Sequence, residues 1–329
     1  MKEINRIKNV DFLGLIENNP VLKYKDHVEF NGFDIEVCPD DDFCIMNNLI
    51  QGQKNGKEVA FYEGSFRELP SIRYDNRIMW TLKDSNYYDG EIFKLSYYVN
   101  GEERLFETKA KDKIAVCKCP ANKGEDVLIF SSGFEKKYLF YSQSGEFLWK
   151  NTEENEDLKI NWRCIPVVDD VVVVISQDCG VPGKVQGFNI HSGEKLWEIP
   201  DAEDICPNTF FVGEDKMLYG CYTEQIDYDE ESRLMLTIIN PINGEIKNIE
   251  AGKACRVMGW LVTMHGRQLY YTDNRRGNEI GVIDVDKREL VERVPLSIKK
   301  KVTIGAPVVT DDKVYVFIRD LQELRVFEK

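Results

Sequence analysis

The sequence predicts an all-β chain: a seven-bladed β-propeller with four antiparallel strands per blade, its ring closed by an N-terminal strand in the last blade. Three observations predict it. A corner between two apolar strands recurs at Gly56, Gly101, Gly145, Gly193 and Gly244, with Arg288 in the sixth place, and the successive spacings are 45, 44, 48, 51 and 44 residues. A second kind of hairpin precedes the corners. No segment signals a helix of ordinary length. A period of this size, built of strand pairs alone, is that of propeller blades.

The corners are clearest in YSQSGEFLW (141–149) and NIHSGEKLW (189–197). Each is a short apolar strand, a polar turn ending in Gly-Glu, and a second apolar strand. Glycine suits a turn that requires positive φ. The preceding hairpins are clearest in IPVVDDVVVVI (165–175) and APVVTDDKVYVF (306–317), with weaker copies from Pro39, Ile72, Cys119, Asn208 and Gly259, seven in all. Each pairs a strand with one rich in β-branched or aromatic residues. One such pair buries too little to stand alone, so the units must stack. The expected blades are 33–63, 70–108, 114–151, 162–199, 206–250, 257–295 and 303–329, within one domain of 1–329. After Asp312 only 17 residues remain, room for the third strand LRVFEK and little more. The missing fourth strand is expected from residues 7–30, in VDFLGL or VLKYKDHVEF, which would remove an exposed edge.

The chain has 329 residues, 43% hydrophobic and 30% charged, with net charge −14. Such a field repels nucleic-acid phosphates and anionic lipid and steers basic proteins inward. The first twenty residues interrupt their apolar positions with charge, unlike a signal peptide. No apolar run approaches the ~20 residues of a membrane span. Nine scattered cysteines fit reduced thiols, and the expected location is cytoplasmic.

The strand–x–x–(T/S/N)-G-E-x-L-W pattern, with Trp149 and Trp197 carrying the aromatic, resembles the repeat of quinoprotein-like (PQQ-type) propellers, within the WD40-like group. The resemblance implies the fold more than an activity. Enzymes of that family carry eight blades, a quinone, calcium and often a disulfide between adjacent cysteines. Here no two cysteines are adjacent and seven blades are counted, so no cofactor is assigned.

Chemistry-bearing clusters are few. His27, His191 and His265 lie far apart, the last two in hairpin turns of different blades. Cys117 and Cys119 share one strand face and read as core thiols, and Cys38 and Cys44 have no second pair, so no metal site is expected. Asp40-Asp41-Asp42 lacks the ligand spacing of a calcium loop. Because Asp pairs recur at Asp169-Asp170 and Asp311-Asp312, turn chemistry explains them. Neither a phosphate-binding glycine loop nor a nucleophile elbow is present. Trp149 and Trp197 are expected to pack blade against blade.

Propeller topology sorts the loops. Connections between blades, and those joining second to third strands, share one face, and the short hairpin turns share the other. Glu153, Glu154, Glu156 and Asp157, then Asp201, Glu203 and Asp204, then Asp227, Asp229, Glu230 and Glu231 form an acidic sector on the connection face. Tyr87 and Tyr88 occupy the second-to-third-strand loop of blade two on the same face, with Phe66 in the linker before it. Basic groups, Arg275-Arg276 and Lys299–301, fall elsewhere on that face. The acidic residues together with Tyr87 and Tyr88 are the expected partner-binding set, with no catalytic residue among them. The expectation is a non-catalytic protein-binding propeller, an immunity-type inhibitor or adaptor for a basic protein. The alternative is a hydrolase, lyase or quinone-dependent oxidoreductase acting at the axial channel. The sequence leaves oligomeric state open.

Overall fold

The computed structural model describes every residue except 17, 31–32, 39–40, 47–48, 55–56, 63–64, 69–71, 76–77, 83–92, 100–101, 109–116, 120–126, 132–137, 143–146, 152–158, 161–165, 179–180, 203–206, 208, 225–231, 255, 274–277 and 299–301; side chains are described mainly in 1–50 and 166–329. The described strands form eight sheets, most of them runs in chain order. Sheet 1 holds Asp11–Ile16, Asn19–Lys23, His27–Phe30 and Phe33–Glu36, and sheet 2 holds Asp42–Met46, Leu49–Lys54, Lys57–Tyr62 and Ser65–Glu68. Sheet 3 holds Ile72–Asp75, Ile78–Leu82, Phe93–Val99 and Glu102–Thr108; sheet 4 holds Cys117–Cys119, Val127–Ser131, Tyr138–Ser142 and Phe147–Asn151. Sheet 5 has five strands: Lys159–Ile160, Val167–Val168, Val171–Asp178, Val181–Asn189 and Lys195–Ile199. Sheet 6 holds Phe211–Val212, Leu218–Thr223, Ser232–Ile239 and Ile246–Ala254, and sheet 7 holds Val262–His265, Gln268–Asp273, Glu279–Asp284 and Glu289–Pro295. Sheet 8 runs Val308–Val309, Lys313–Ile318, Glu323–Glu328 and then Lys2–Lys8.

Contacts divide the chain into two compact units. One comprises Met1–Phe12, Val171–Phe188 and Lys195–Lys329; the other comprises Leu13–Asp170 and Asn189–Glu194. In the second unit, sheets 1 and 2 bury Ile16, Val21, Val28, Phe43 and Ile50 in one cluster. In the first, one core holds Tyr219, Leu234 and Leu236 of sheet 6 with Leu269, Tyr271 and Ile283 of sheet 7. A second core holds Tyr270, Ile280 and Val282 of sheet 7 with Val314, Val316 and Phe327 of sheet 8. Successive side chains on a strand point to opposite faces. Tyr270 and Tyr271, neighbours on one strand and both buried, therefore serve different cores, and sheet 7 is apolar on both sides.

The corner motif has a uniform local chemistry. Asn189, Asn240 and Asp284 open three successive third-to-fourth-strand turns, and each side-chain oxygen accepts backbone N–H bonds from the turn. The closing residues Gly193, Gly244 and Arg288 have φ of 73°, 73° and 60°, and each N–H returns to the carbonyl of the opening residue. Arg288 thus takes the same left-handed conformation as the glycines, as the repeat alignment requires. The Asp pairs are turn residues too: Asp169 has φ 49°, and Asp312 accepts the Thr310 hydroxyl. In the first acidic run, Asp41 accepts the Cys38 N–H at 2.7 Å.

Two expectations need correction. Eight sheets stand where seven blades were counted, because the N-terminal repeats are shorter. Phe30 pairs directly with Phe33 across Asn31-Gly32, completing sheet 1. Lys54 pairs with Lys57, which puts Gly56 between the second and third strands of sheet 2; the corner there falls instead between Tyr62 and Ser65, at Glu63-Gly64. The 45-residue interval from Gly56 to Gly101 compares unlike turns. The second correction concerns the strand that completes sheet 8. It is N-terminal, as expected, but it is Lys2–Lys8, antiparallel to Glu323–Glu328, while both expected candidates belong to sheet 1. KEINRIK is mostly exposed, and a charged edge strand discourages further pairing. That charge is also why its strand character does not register as a period-2 apolar pattern. The described helices are two single 3₁₀ turns, Gly259–Leu261 and Arg319–Leu321.

Candidate functional site

Sheets 6 to 8 have two ends of different chemistry. At the end of the short hairpin turns, side chains reach from sheet to sheet. Arg267, in the first turn of sheet 7, meets Asp215 of sheet 6 at 3.1 Å and Asp286 of its own sheet at 2.6 Å. It also donates to the Tyr219 hydroxyl at 3.1 Å and lies 5.0 Å over that ring. The Tyr219 hydroxyl donates to Asp215 at 2.6 Å. The hydrogen bond to Asp286 raises the Arg267 pKa and lowers that of Asp286. Burial works against ionisation of Asp215, yet the bonds from Tyr219, the Met217 N–H and Arg267 hold it below the ordinary value. His265 of sheet 7 meets Asp311 of sheet 8 at 3.0 Å. Trp197 of sheet 5 is buried and donates its indole N–H to the Pro241 carbonyl of sheet 6 at 2.7 Å. Its ring lies over Gly187 and under Gly244, where an added Cβ would come within 2.2 and 2.7 Å of it. The expected packing role of this tryptophan holds, and the corner glycines leave the space it needs.

At the opposite end, where the chain passes between sheets and from second to third strands, the bonds are mostly caps on backbone. The Thr223 hydroxyl accepts the Val257 N–H at 3.2 Å. Asp273, wholly buried, accepts the Arg256 N–H at 3.1 Å. Asp320 accepts the Thr303 N–H at 2.8 Å, and the Thr272 hydroxyl donates to the Gly305 carbonyl at 3.0 Å. Arg233 pairs with Glu224, and Ser232 donates to the Glu224 carbonyl, so the base of connection 225–231 is tied. Arg293 pairs with the buried Glu279 at 2.9 Å. On the connection from sheet 6 to sheet 7, Gly259 and Leu261 are buried in the 3₁₀ turn, while Trp260 between them is 43% exposed. It is the only aromatic among the large hydrophobic side chains exposed in the described residues.

Two buried titratable groups lie between sheets 6 and 7. Burial pushes the Cys221 thiol up to about 12, which makes it inert. Burial also raises the Tyr271 pKa far above that of an ordinary phenol. The Tyr271 ring crosses Gly281, where an added Cβ would stand 2.0 Å from it. Among the described residues its hydroxyl has no hydrogen-bond partner.

Of the expected partner-binding residues, Asp201 alone is described: it is exposed, with φ 50°, on the connection that follows sheet 5. Glu153, Glu154, Glu156, Asp157, Glu203, Asp204, Asp227, Asp229, Glu230, Glu231, Tyr87 and Tyr88 lie outside the described residues, as do Arg275-Arg276 and Lys299–301. Phe66, expected in a linker, sits in the fourth strand of sheet 2. His191 is exposed in its turn and meets Asp170 at 3.2 Å, while His27 meets Asp26 at 2.8 Å and stacks on Tyr24. Each histidine thus faces an acid, its chain neighbour for His27 and a residue remote in sequence for His191 and His265. No group of His, Cys, Asp and Glu able to hold a metal occurs among the described residues. No helix there is long and apolar enough to cross a membrane. Arg267 and Trp260 both lie in the hairpin from Gly259 but escaped sequence reading because the repeat marks the turn and not these side chains; only a tertiary arrangement distinguishes them.

No family model and no curated protein matches the chain. Solved structures do. The chain is similar to BamB from Moraxella catarrhalis, at 12% identity over 99% of both chains with a TM-score of 0.54. It is also similar to a catalytically inactive virginiamycin B lyase from Staphylococcus aureus with quinupristin, at 12% identity over 99% of this chain and 100% of that one, TM-score 0.50. Both are β-propellers of the PQQ-like and WD40-like kind, and the fold of this chain is of that kind. At this identity the likeness extends to the fold alone.

Proposed function

We propose that the protein is a non-catalytic, cytoplasmic propeller that holds a basic protein partner on its connection end, as an immunity-type inhibitor or an adaptor. The observation that carries this reading is the unequal use of the two ends. Trp197, Arg267 and His265 spend the turn end on cohesion between neighbouring sheets. The connection end keeps Trp260 exposed, and loops placed by a rigid scaffold are where propellers carry recognition. The sequence puts Asp227, Asp229, Glu230 and Glu231 in the connection whose base Glu224 and Arg233 tie. With a net charge of −14, the field favours encounter with a cationic surface. Nucleic acid and anionic membrane are disfavoured by the same sign of charge.

The first strands of sheets 6 to 8 are mostly apolar. They read Phe211–Val212, Val262–His265 and Val308–Val309. In these three strands the one titratable residue, His265, is paired with Asp311 at the turn end.

The test is affinity capture from the native cell extract at low and physiological salt, comparing wild type with a variant in which Asp227, Asp229, Glu230 and Glu231 become Ser. The expected result is a basic protein that wild type retains, that salt releases, and that the variant fails to hold. Equal retention of the same protein by the variant would remove the acidic connection from the reading.

A further inference from the structure

We propose that the indole of Trp260 is the aromatic anchor of the docking surface on the connection end, and that its occupant is a lysine- or arginine-bearing segment of the partner, whose cation stacks on the indole face. The inference rests on the preceding reading that the partner is basic, and adds the residue that grips it.

The argument starts from how the side chain is held. Arg256 and Val257, just before the turn, are fixed through their N–H groups to Asp273 and Thr223. The Leu261 N–H returns to the Met258 carbonyl at 2.8 Å, closing the turn. Gly259 and Leu261, the chain neighbours of Trp260, are both buried. The backbone under Trp260 is therefore ordered before any partner arrives, so little conformational entropy is lost on binding. A large aromatic presented this way has the character of an interface hot spot. It costs exposed apolar area, and its own fold makes poor use of it. The other large exposed hydrophobics, Ile4, Leu196, Val212, Ile242 and Val291, are aliphatic and offer no π face.

Charge selects the occupant. The indole carries a negative face that attracts cations, tryptophan most strongly of the aromatic residues. The net charge of −14 draws cations toward the whole surface, and the exposed Asp320 lies at this same end, where Glu224 is already paired with Arg233. An acidic or neutral occupant would gain nothing from that field. Arginine and lysine both fit, with arginine able to stack its planar guanidinium as well.

The experiment uses the full chain and three labelled ten-residue peptides: poly-arginine, poly-lysine and a serine–glycine control. Affinity is read by fluorescence anisotropy at low and physiological salt, for wild type, Trp260→Phe, Trp260→Ala and the four-acid Ser variant, with thermal melting as a fold control. The expected result is binding of the two cationic peptides, with about tenfold loss in Trp260→Ala and smaller loss in Trp260→Phe. Melting should be unchanged in both. Equal affinity in Trp260→Ala, absence of cationic-peptide binding to wild type, or equal binding of the serine–glycine peptide would each overturn the proposal. Loss in the four-acid variant with no change in Trp260→Ala would leave the acidic connection and remove the anchor. The reverse pattern would keep the anchor and remove the acidic connection.

Discussion

The turn end and the connection end of sheets 6 to 8 are made from the same strands, yet they are held by different means. At the turn end, long side chains cross from sheet to sheet: Trp197 to Pro241, Arg267 to Asp215, His265 to Asp311. At the connection end, short side chains cap backbone groups: Thr223 on Val257, Asp273 on Arg256, Asp320 on Thr303. Tight turns have little freedom to vary, so they can serve as fixed platforms for inter-sheet bonds. Connections need only be anchored at their bases, which leaves what projects from them free for other work. The comparison teaches that substitutions should sort by end, with stability effects at one and binding effects at the other.

The largest expected effect is at the turn end. Trp197→Ala should destabilise by about 3–5 kcal/mol, the usual cost of emptying a buried aromatic site, and should leave cationic-peptide binding intact once folded; denaturant unfolding checks the first and anisotropy the second. Next comes Gly187→Ala, whose Cβ would fall 2.2 Å from the Trp197 ring and should cost about 1–3 kcal/mol through overpacking. Relief of the clash should displace the Trp197 indole and weaken its bond to Pro241, which a red shift of the indole emission relative to wild type would report.

Arg267→Met follows, with an expected loss of about 1 kcal/mol, discounted for the partial exposure of its partners. This substitution also alters the acid limb of stability. Asp215 and Asp286 are held below the ordinary carboxylate value. Each therefore contributes stability that is present above its unfolded-state value near ~3.9 and is lost as pH falls through the depressed folded value. Wild type should lose stability steeply below about pH 4, and Arg267→Met less steeply. Identical acid slopes would break the assignment of Arg267 as the hub.

The smallest stability effects sharpen the comparison. Tyr271→Phe removes a buried hydroxyl without a partner among the described residues, so it should be neutral or slightly stabilising. Trp260→Ala should stay within ~0.5 kcal/mol of wild type, as surface changes do, while carrying the loss of binding. If Trp260→Ala instead unfolds the protein, the two ends are not separable as described.

Much of this fold was written locally. The corners at Gly193, Gly244 and Arg288 need one opening Asn or Asp and one residue at positive φ, and four or five residues suffice to encode that. The packing of Trp197 was legible for the same reason, since the tryptophan follows its corner at a fixed offset. The acidic connections were visible as sequence, and their chemistry remains a matter of charge rather than geometry. Sheet 1 was missed because its strands are four to six residues long and its corner, Asn31-Gly32, lies less than one period before the next. The strand completing sheet 8 was missed because an edge strand with one exposed face can be nearly all charged.

The sequence by itself determined the strand-and-turn grammar and the acidity, because each depends on the chemistry of neighbours along the chain. The tertiary structure decided which segment pairs with Glu323–Glu328, which acid faces each histidine, and that Arg267 is buried in bonds while Trp260 is left in solvent. Apart from the Asp26–His27 pair, which is adjacent in the chain, those outcomes depend on residues tens to hundreds of positions apart meeting in space, and no local pattern of apolar and polar residues carries that distance.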